Sequence, residues 1–344
     1  MSQALTPKTS TGFARLMSKA TAGRRSSGLF RTIVLALAAV IPVAIAAVFL
    51  FLVVYAWPAI KFNGIGFLLT KTWDLGNLYA DPIPTHGVLA PVGATYGCLV
   101  FVAGTLASSF LALLIAVPVS LGISVFLAEG VLPILRTPFA IVVELLAVVP
   151  SVVYGLWGII VLVPLVAHVI SPVLATVFHF IPFFASGGGS GFGLLSCSLV
   201  LALMVIPVIT ITVYDSLTRI PKEAKEAAYA LGTTKFEMVF FTMLPMIRPA
   251  IIGAVILGLG RALGETMAVL MVSGGALNYM PTSLMSPIST MASFIVSQLD
   301  SAEGDQTGLA VQSLAEIAIV LFVITVVVNI VARVLVHSST RGRG

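Results

Sequence analysis

The stretch EAAYALGTTKFEMVFFTMLP, Glu226 to Pro245, is a polar segment lying between two apolar runs that are each long enough to cross a bilayer. Within it stand Glu226, Ala227 and Ala228, then Gly232, then Leu244 and Pro245. Alanines permit close approach, a glycine permits a turn, and Pro245 with Pro249 bounds the return into apolar sequence. Water-facing chemistry held between spans is the first indication of a polytopic membrane protein.

Composition agrees. Hydrophobic residues make up 59% and charged residues 9% of the 344-residue chain, against roughly 25% charged in a soluble domain. A soluble core could not hide that much apolar surface, so the chain reads as one integral membrane unit. Runs of about 20 apolar residues mark spanning helices, and six are expected, over 31–56, 95–127, 138–165, 194–214, 249–273 and 309–335. Lys8, Arg15, Lys19, Arg24, Arg25 and Arg31 precede the first. Arg219, Lys222, Lys225, Lys235 and Arg248 lie between the fourth and fifth, and Arg333, Arg341 and Arg343 close the chain. The opposite loops hold only Lys61 and Lys71 beside Asp74, Asp81, Asp300, Glu303 and Asp305. The positive-inside rule then makes both termini and the Glu226–Pro245 segment cytoplasmic. The pI of 9.4 comes from these flanking cations, so no nucleic acid is expected as a partner.

Residues 1–28, basic and rich in Ser, Thr and Gly, read as a disordered cytoplasmic arm. Residues 29–90 form a first anchor and an outer loop, and 91–337 the main membrane domain, with a cytoplasmic loop at 215–248. The first span is too long for a cleaved signal peptide. Phe183–Gly193 reads as a flexible outer loop, with a backbone nest for an anion as the alternative. Cys98 and Cys197 fall in apolar sequence and read as packing residues rather than a disulfide.

Enzymatic signatures fail. No Gly-Lys pair exists to build a phosphate-binding P-loop. Around Ser190, Phe192 stands where a nucleophile elbow requires glycine. His168 and His179 are isolated from carboxylates at ligand spacing, and no metal site is expected.

Charges inside apolar spans cost about 2.5–3.5 kcal/mol on insertion scales and persist only if paired or solvated. Glu144, Arg261, Glu265 and Glu316 qualify. Arg261 lies about 18 Å along its span from Pro249 at 1.5 Å per residue, near mid-depth, and Glu265 at i+4 shares its face. Ala254 and Gly258 extend that stripe, and Gly260 with Gly264 forms a small-xxx-small pair. The pair reads either as lining of a pathway or as a structural brace. Glu316 reaches a depth similar to Glu265 and is expected to share a polar cluster with it. Glu144 is open between a mechanistic role and a hydrogen bond to a neighbouring helix. Pro150 is expected to kink its span.

VPSVVYGLWG (Val149–Gly158), the Glu226–Pro245 segment and LGLGRALGETMAV (Leu257–Val269) together resemble the PstC permease family of phosphate-specific ABC importers, over roughly residues 88–335. The resemblance implies an all-α integral membrane protein with six transmembrane helices and the type I, MetI-like permease fold. It implies a second, PstA-like permease subunit, a dimer of a PstB-like ATPase that binds ATP and magnesium, and a PstS-like external phosphate-binding protein. No cofactor is then expected in this chain itself. Arg261 and Glu265 match the family's intramembrane charged pair, with Glu316 and Glu144 as further pathway candidates. Glu226, Ala227, Ala228, Gly232, Leu244 and Pro245 match the EAA loop that couples to the ATPase. Thr242 stands where that loop prefers isoleucine. The implied mechanism is alternating access, with the coupling helix as lever. Alternatives are a PstA-type subunit, a permease for sulfate or molybdate and, in a different class, an anion channel.

Overall fold

Apolar segments in lipid can satisfy their backbone only internally, which makes them helices. The computed structural model describes residues 10–181, 183–184 and 189–341, with side chains between residues 30 and 334. The described helices are α1 (Ser10–Asn63), α2 (Leu99–Val125), which runs on into a π turn at Phe126–Gly130, and α3 (Pro133–Val148). They continue with α4 (Ser151–Val177), α5 (Leu194–Thr218), α6 (Lys222–Ala230), α7 (Lys235–Met246) and α8 (Arg248–Leu263). The last are α9 (Met267–Val272), α10 (Met291–Glu303) and α11 (Leu309–Arg341). A hairpin of β1 (Ile83–Thr85) and β2 (Val88–Ala90) is the one sheet among the described residues.

Five stretches are long and apolar enough to cross a membrane: Phe30–Asn63, Leu99–Gly130, Ser151–Val177, Leu194–Thr218 and Leu309–Val334. The pair α7 and α8, bent by 71°, makes a sixth if counted as one span. Three boundaries differ from the expected ones. The span expected at 138–165 falls on two helices, because Val149 and Pro150 are both extended and the proline offers no N–H to continue α3. The span expected at 249–273 stops at Leu263 and restarts at Met267. Residues 10–28, expected to be disordered, lie inside α1; Ala14, Arg15, Leu16, Met17, Lys19 and Ala20 are good helix formers that extend the apolar helix backwards. Residues 1–9 and 342–344 lie outside the described residues.

The chain divides at Val54/Tyr55 into two units. In the first, the described side chains from Phe30 to Val54 are largely exposed and apolar, Phe30 at 70% and Val54 at 67%. The second unit centres on α5, the span with the largest buried share. Ser120 and Ser124 of α2 donate to the carbonyls of Ile206 and Thr210 at 3.1 and 3.0 Å, which knits α2 to α5. Gly258 of α8 lies where a Cβ would meet Val205 at 2.7 Å, so its lack of a side chain sets the α8–α5 approach. The expected Ala254–Gly258 stripe therefore packs. Gly260 has open space around a would-be Cβ, and Gly264 has only Gly260 O near it, so among the described residues that small pair does not seat a neighbouring helix.

A second cluster sits at the other end of α2. Trp73, Tyr96, Phe101 and Phe294 are buried there, and Phe101 and Phe294 stack with centroids 3.7 Å apart. Asn278, in the left-handed region at φ 60°, exchanges hydrogen bonds with the Trp73 backbone in both directions, tying the loop after α1 to the loop after α9. Thr105 of α2 accepts from Met291 N at 2.9 Å, and Gly104 lets the Ser289 carbonyl approach the α2 backbone, so α10 starts directly against α2.

The glycine-rich stretch is also not a free loop where it is described. Residues 185–188 lie outside the described residues, but Gly193 N and Leu194 N donate to Val272 O and Ser286 O. Gly191 and Gly193 have φ of 81° and 145° and abut the carbonyls of Val163 and Ser286. Here glycine serves close backbone approach rather than mobility.

Candidate functional site

The coupling segment is a tightly determined helix–turn–helix. Gly232, at φ 81°, follows α6. Its N–H donates to Tyr229 O at 2.9 Å and that of Thr233 to Ala228 O at 3.4 Å, the two bonds of a Schellman cap. Thr234 then opens α7 through a capping box with Glu237, each side chain bonding the other residue's backbone N–H. A Cβ on Gly232 would meet nothing within 4 Å. The glycine is required by the backbone angle alone, not by space.

This geometry sorts the predicted coupling residues. Ala228 is buried against the core cluster, whereas Glu226, Ala227 and Gly232 face outwards. Beside them stand Leu231 at 86%, Phe236 at 66% and Tyr229 at 46% exposure, an apolar surface framed by charges. Leu244 and Pro245 lie half-buried at the end of α7. The segment is also fastened to α2. Lys225 Nζ pairs with Glu129 Oε1 at 2.5 Å, the one ion pair among the described residues, and Lys235 Nζ donates to the Glu129 carbonyl at 2.5 Å. Sequence reading places Lys225 and Lys235 only among flanking cations and stops the second span before Glu129, so the contact goes unseen; its partners are 96 residues apart.

The charged residues within the spans are arranged differently from the expectation. Arg261 and Glu265 are not an i,i+4 pair, because the helix ends at Leu263 and Gly264 begins a break. No ion pair joins them. Instead Arg261 occupies the last turn of α8, where a cation complements the carbonyl end of the helix. Glu265 accepts from Ala268 N at 3.3 Å, where an anion complements the amide end of α9. The two charges stabilise opposite helix ends at one break. Tyr154 of α4 lies within electrostatic range of Arg261, and its hydroxyl donates to Leu146 O at 2.8 Å.

Glu316 is buried at 6% exposure and accepts from Asn63 Nδ2 at 2.8 Å; Asn63 also reaches Ser313 Oγ at 3.4 Å. No hydrogen bond joins Glu316 to Glu265 among the described residues; Glu316 accepts from Asn63 and Glu265 from Ala268 N. Glu144 is exposed on α3, a helix with no buried residue, and makes no hydrogen bond among the described residues. The motif VPSVVYGLWG is explained by packing. Gly155 would place a Cβ 2.6 Å from Met271 Sδ, and Gly158 one 2.9 Å from Val272, so both glycines seat α9 directly on α4.

The fold is that of a multi-span membrane protein carrying an exposed, doubly capped helix–turn–helix fastened to a membrane helix. The chain belongs to the family of binding-protein-dependent transport system inner membrane components, whose profile matches residues 120–341. It is 46% identical over 300 residues, 85% of this chain and 89% of the relative, to phosphate transport system permease protein PstC 1 of Mycobacterium tuberculosis. It is 36% identical over 348 residues, all of both chains, to the PstC permease of Xylella fastidiosa strain Temecula1. The solved inward-facing MetNI methionine ABC transporter aligns with TM-score 0.48 at 16% identity, over 68% of this chain and 92% of that one. The chain is thus a multi-pass membrane permease of an ABC importer, a transport component and not an enzyme.

Proposed function

We propose that this chain passes inorganic phosphate across the membrane as one of two permease subunits, driven by a cytoplasmic ATPase. The exposed coupling segment carries the reading. Glu226 and Ala227 on α6, with Leu231 and Gly232 in the turn after it, project beside a junction closed by the Schellman cap of α6 and the capping box of α7, the form of a rigid lever rather than of a loop. The ATPase partner holds ATP and magnesium; this chain has no Gly-Lys pair with which to hold phosphates by a P-loop. The termini and the segment lie on the cytoplasmic side, supported by the basic flanks. A second permease subunit and an external binding protein complete the importer, the latter supplying affinity and the permease passage.

The substrate assignment is supported by the PstC names of relatives that align over 85% and 100% of the chain. Chemistry is consistent with it. A guanidinium offers an oxyanion two parallel hydrogen bonds and stays charged in low dielectric, and Arg261 has no carboxylate partner among the described residues. Two of the three carboxylates that would repel an anion are already engaged, Glu265 by a backbone amide and Glu316 by Asn63. The experiment is uptake of labelled phosphate into vesicles carrying the assembled importer, challenged with unlabelled sulfate and molybdate. Undiminished phosphate uptake under excess sulfate or molybdate is expected. Strong competition by either overturns the phosphate assignment.

A further inference from the structure

Glu129 lies outside the motifs that define the coupling segment, yet it is where that segment meets the membrane helices. It sits in the π turn Phe126–Gly130 that ends the Leu99–Gly130 span, a widened turn of the kind found at functional positions. Two lysines reach it from opposite sides of the Gly232 turn. Lys225 of α6 binds its carboxylate and Lys235 of α7 its main-chain carbonyl. The ion pair is mostly shielded, with 24% of the Lys225 and 15% of the Glu129 side chain exposed, so salt screens it less than a surface pair. Beyond Glu129 the span is fixed to α5 by Ser120 and Ser124, and at its far end Thr105 receives the first amide of α10. A push on α6 thus reaches α2 at Glu129, and through the rigid helix the contacts with α5 and α10.

We propose that Glu129 is a positioning residue, the strut that makes the end of α2 move with the coupling helix as one body. The proposal rests on the reading of an ATP-driven permease but not on the identity of the transported anion. Its role is transmission; docking of the ATPase belongs to the exposed face of α6.

The test uses the full importer in proteoliposomes. One readout is independent of substrate: spin labels at Glu223→Cys on α6 and Leu132→Cys just past the π turn, both exposed positions, measured without nucleotide and trapped with ATP. With Glu129 intact the distance distribution stays the same in both states; with Glu129→Gln it shifts on ATP binding. The second readout is phosphate imported per ATP hydrolysed. It falls at least about fivefold in Glu129→Gln while the ATPase still co-purifies, and the exchanged pair Glu129→Lys with Lys225→Glu regains at least half of the parent ratio. A distance that shifts equally in parent and Glu129→Gln overturns the strut. So does a ratio within twofold of the parent in both Glu129→Gln and Glu129→Ala, or an exchanged pair no better than Glu129→Gln. If the parent importer hydrolyses ATP but moves no phosphate, the substrate assignment fails, and the distance readout still decides the strut.

Discussion

Replacing Gly232 separates two explanations of why the coupling turn needs glycine. The backbone there is left-handed at φ 81°, and a Cβ would meet nothing within 4 Å. The penalty for alanine is therefore conformational, about 1–2 kcal/mol for an L-residue in that region. It lowers the population of the capped turn relative to alternatives by a factor of roughly 5–30. Asparagine tolerates the same region and should cost less. If backbone shape governs coupling, Gly232→Asn retains most phosphate uptake, Gly232→Ala loses a large part of it, and Gly232→Trp fails by adding bulk to an exposed docking face. The assay is ATP-dependent uptake in membrane vesicles with abundance checked by immunoblot, alongside retention of the ATPase on the affinity-purified permease. An activity order set by size alone, with alanine best and asparagine clearly below it, would refute the conformational reasoning.

Further measurements probe the rest of the unit. Thr105→Val removes the acceptor of the buried Met291 N–H and should destabilise by about 1–3 kcal/mol, seen as a lower midpoint in thermal unfolding of detergent-solubilised protein; Thr105→Ser should retain most of the stability, and equal loss in both would contradict the hydrogen-bond account. Arg261→Lys keeps the charge but loses the planar fork and should impair uptake. Because Arg261 and Glu265 serve separate helix ends, the double change to glutamine should do no better than the worse single one, whereas full recovery would restore the idea of a bound pair. Cys98 and Cys197 are fully buried and unpaired, so mass spectrometry should find neither labelled by maleimide until the protein is denatured.

Much of the architecture is written in local sequence. Apolar runs bounded by lysine and arginine place the spans, and the Ala-Ala pair with Gly232 places the coupling helix and its turn, while its caps emerge only from the backbone geometry. What local sequence does not carry is partner choice over long separations. Asn63 and Glu316 are 253 residues apart, and nothing near either announces the other. The break at Gly264 is harder still. RALGETMAV has the spacing of a continuous helix, and only the capping chemistry of Glu265 toward Ala268 reveals a fresh helix start. Glycine has the same ambiguity at Gly191 and Gly193, where composition suggests mobility and the backbone contacts require close packing.

A permease worked through its coupling segment moves phosphate uphill only when ATP is hydrolysed. The most direct measurement is labelled-phosphate accumulation in proteoliposomes holding the purified importer and its binding protein, with ATP supplied on the coupling-segment side. The account predicts accumulation above the external concentration with ATP and none without it or with a non-hydrolysable analogue. Phosphate that equilibrates across the membrane at the same rate with and without ATP would mark a channel and contradict the account.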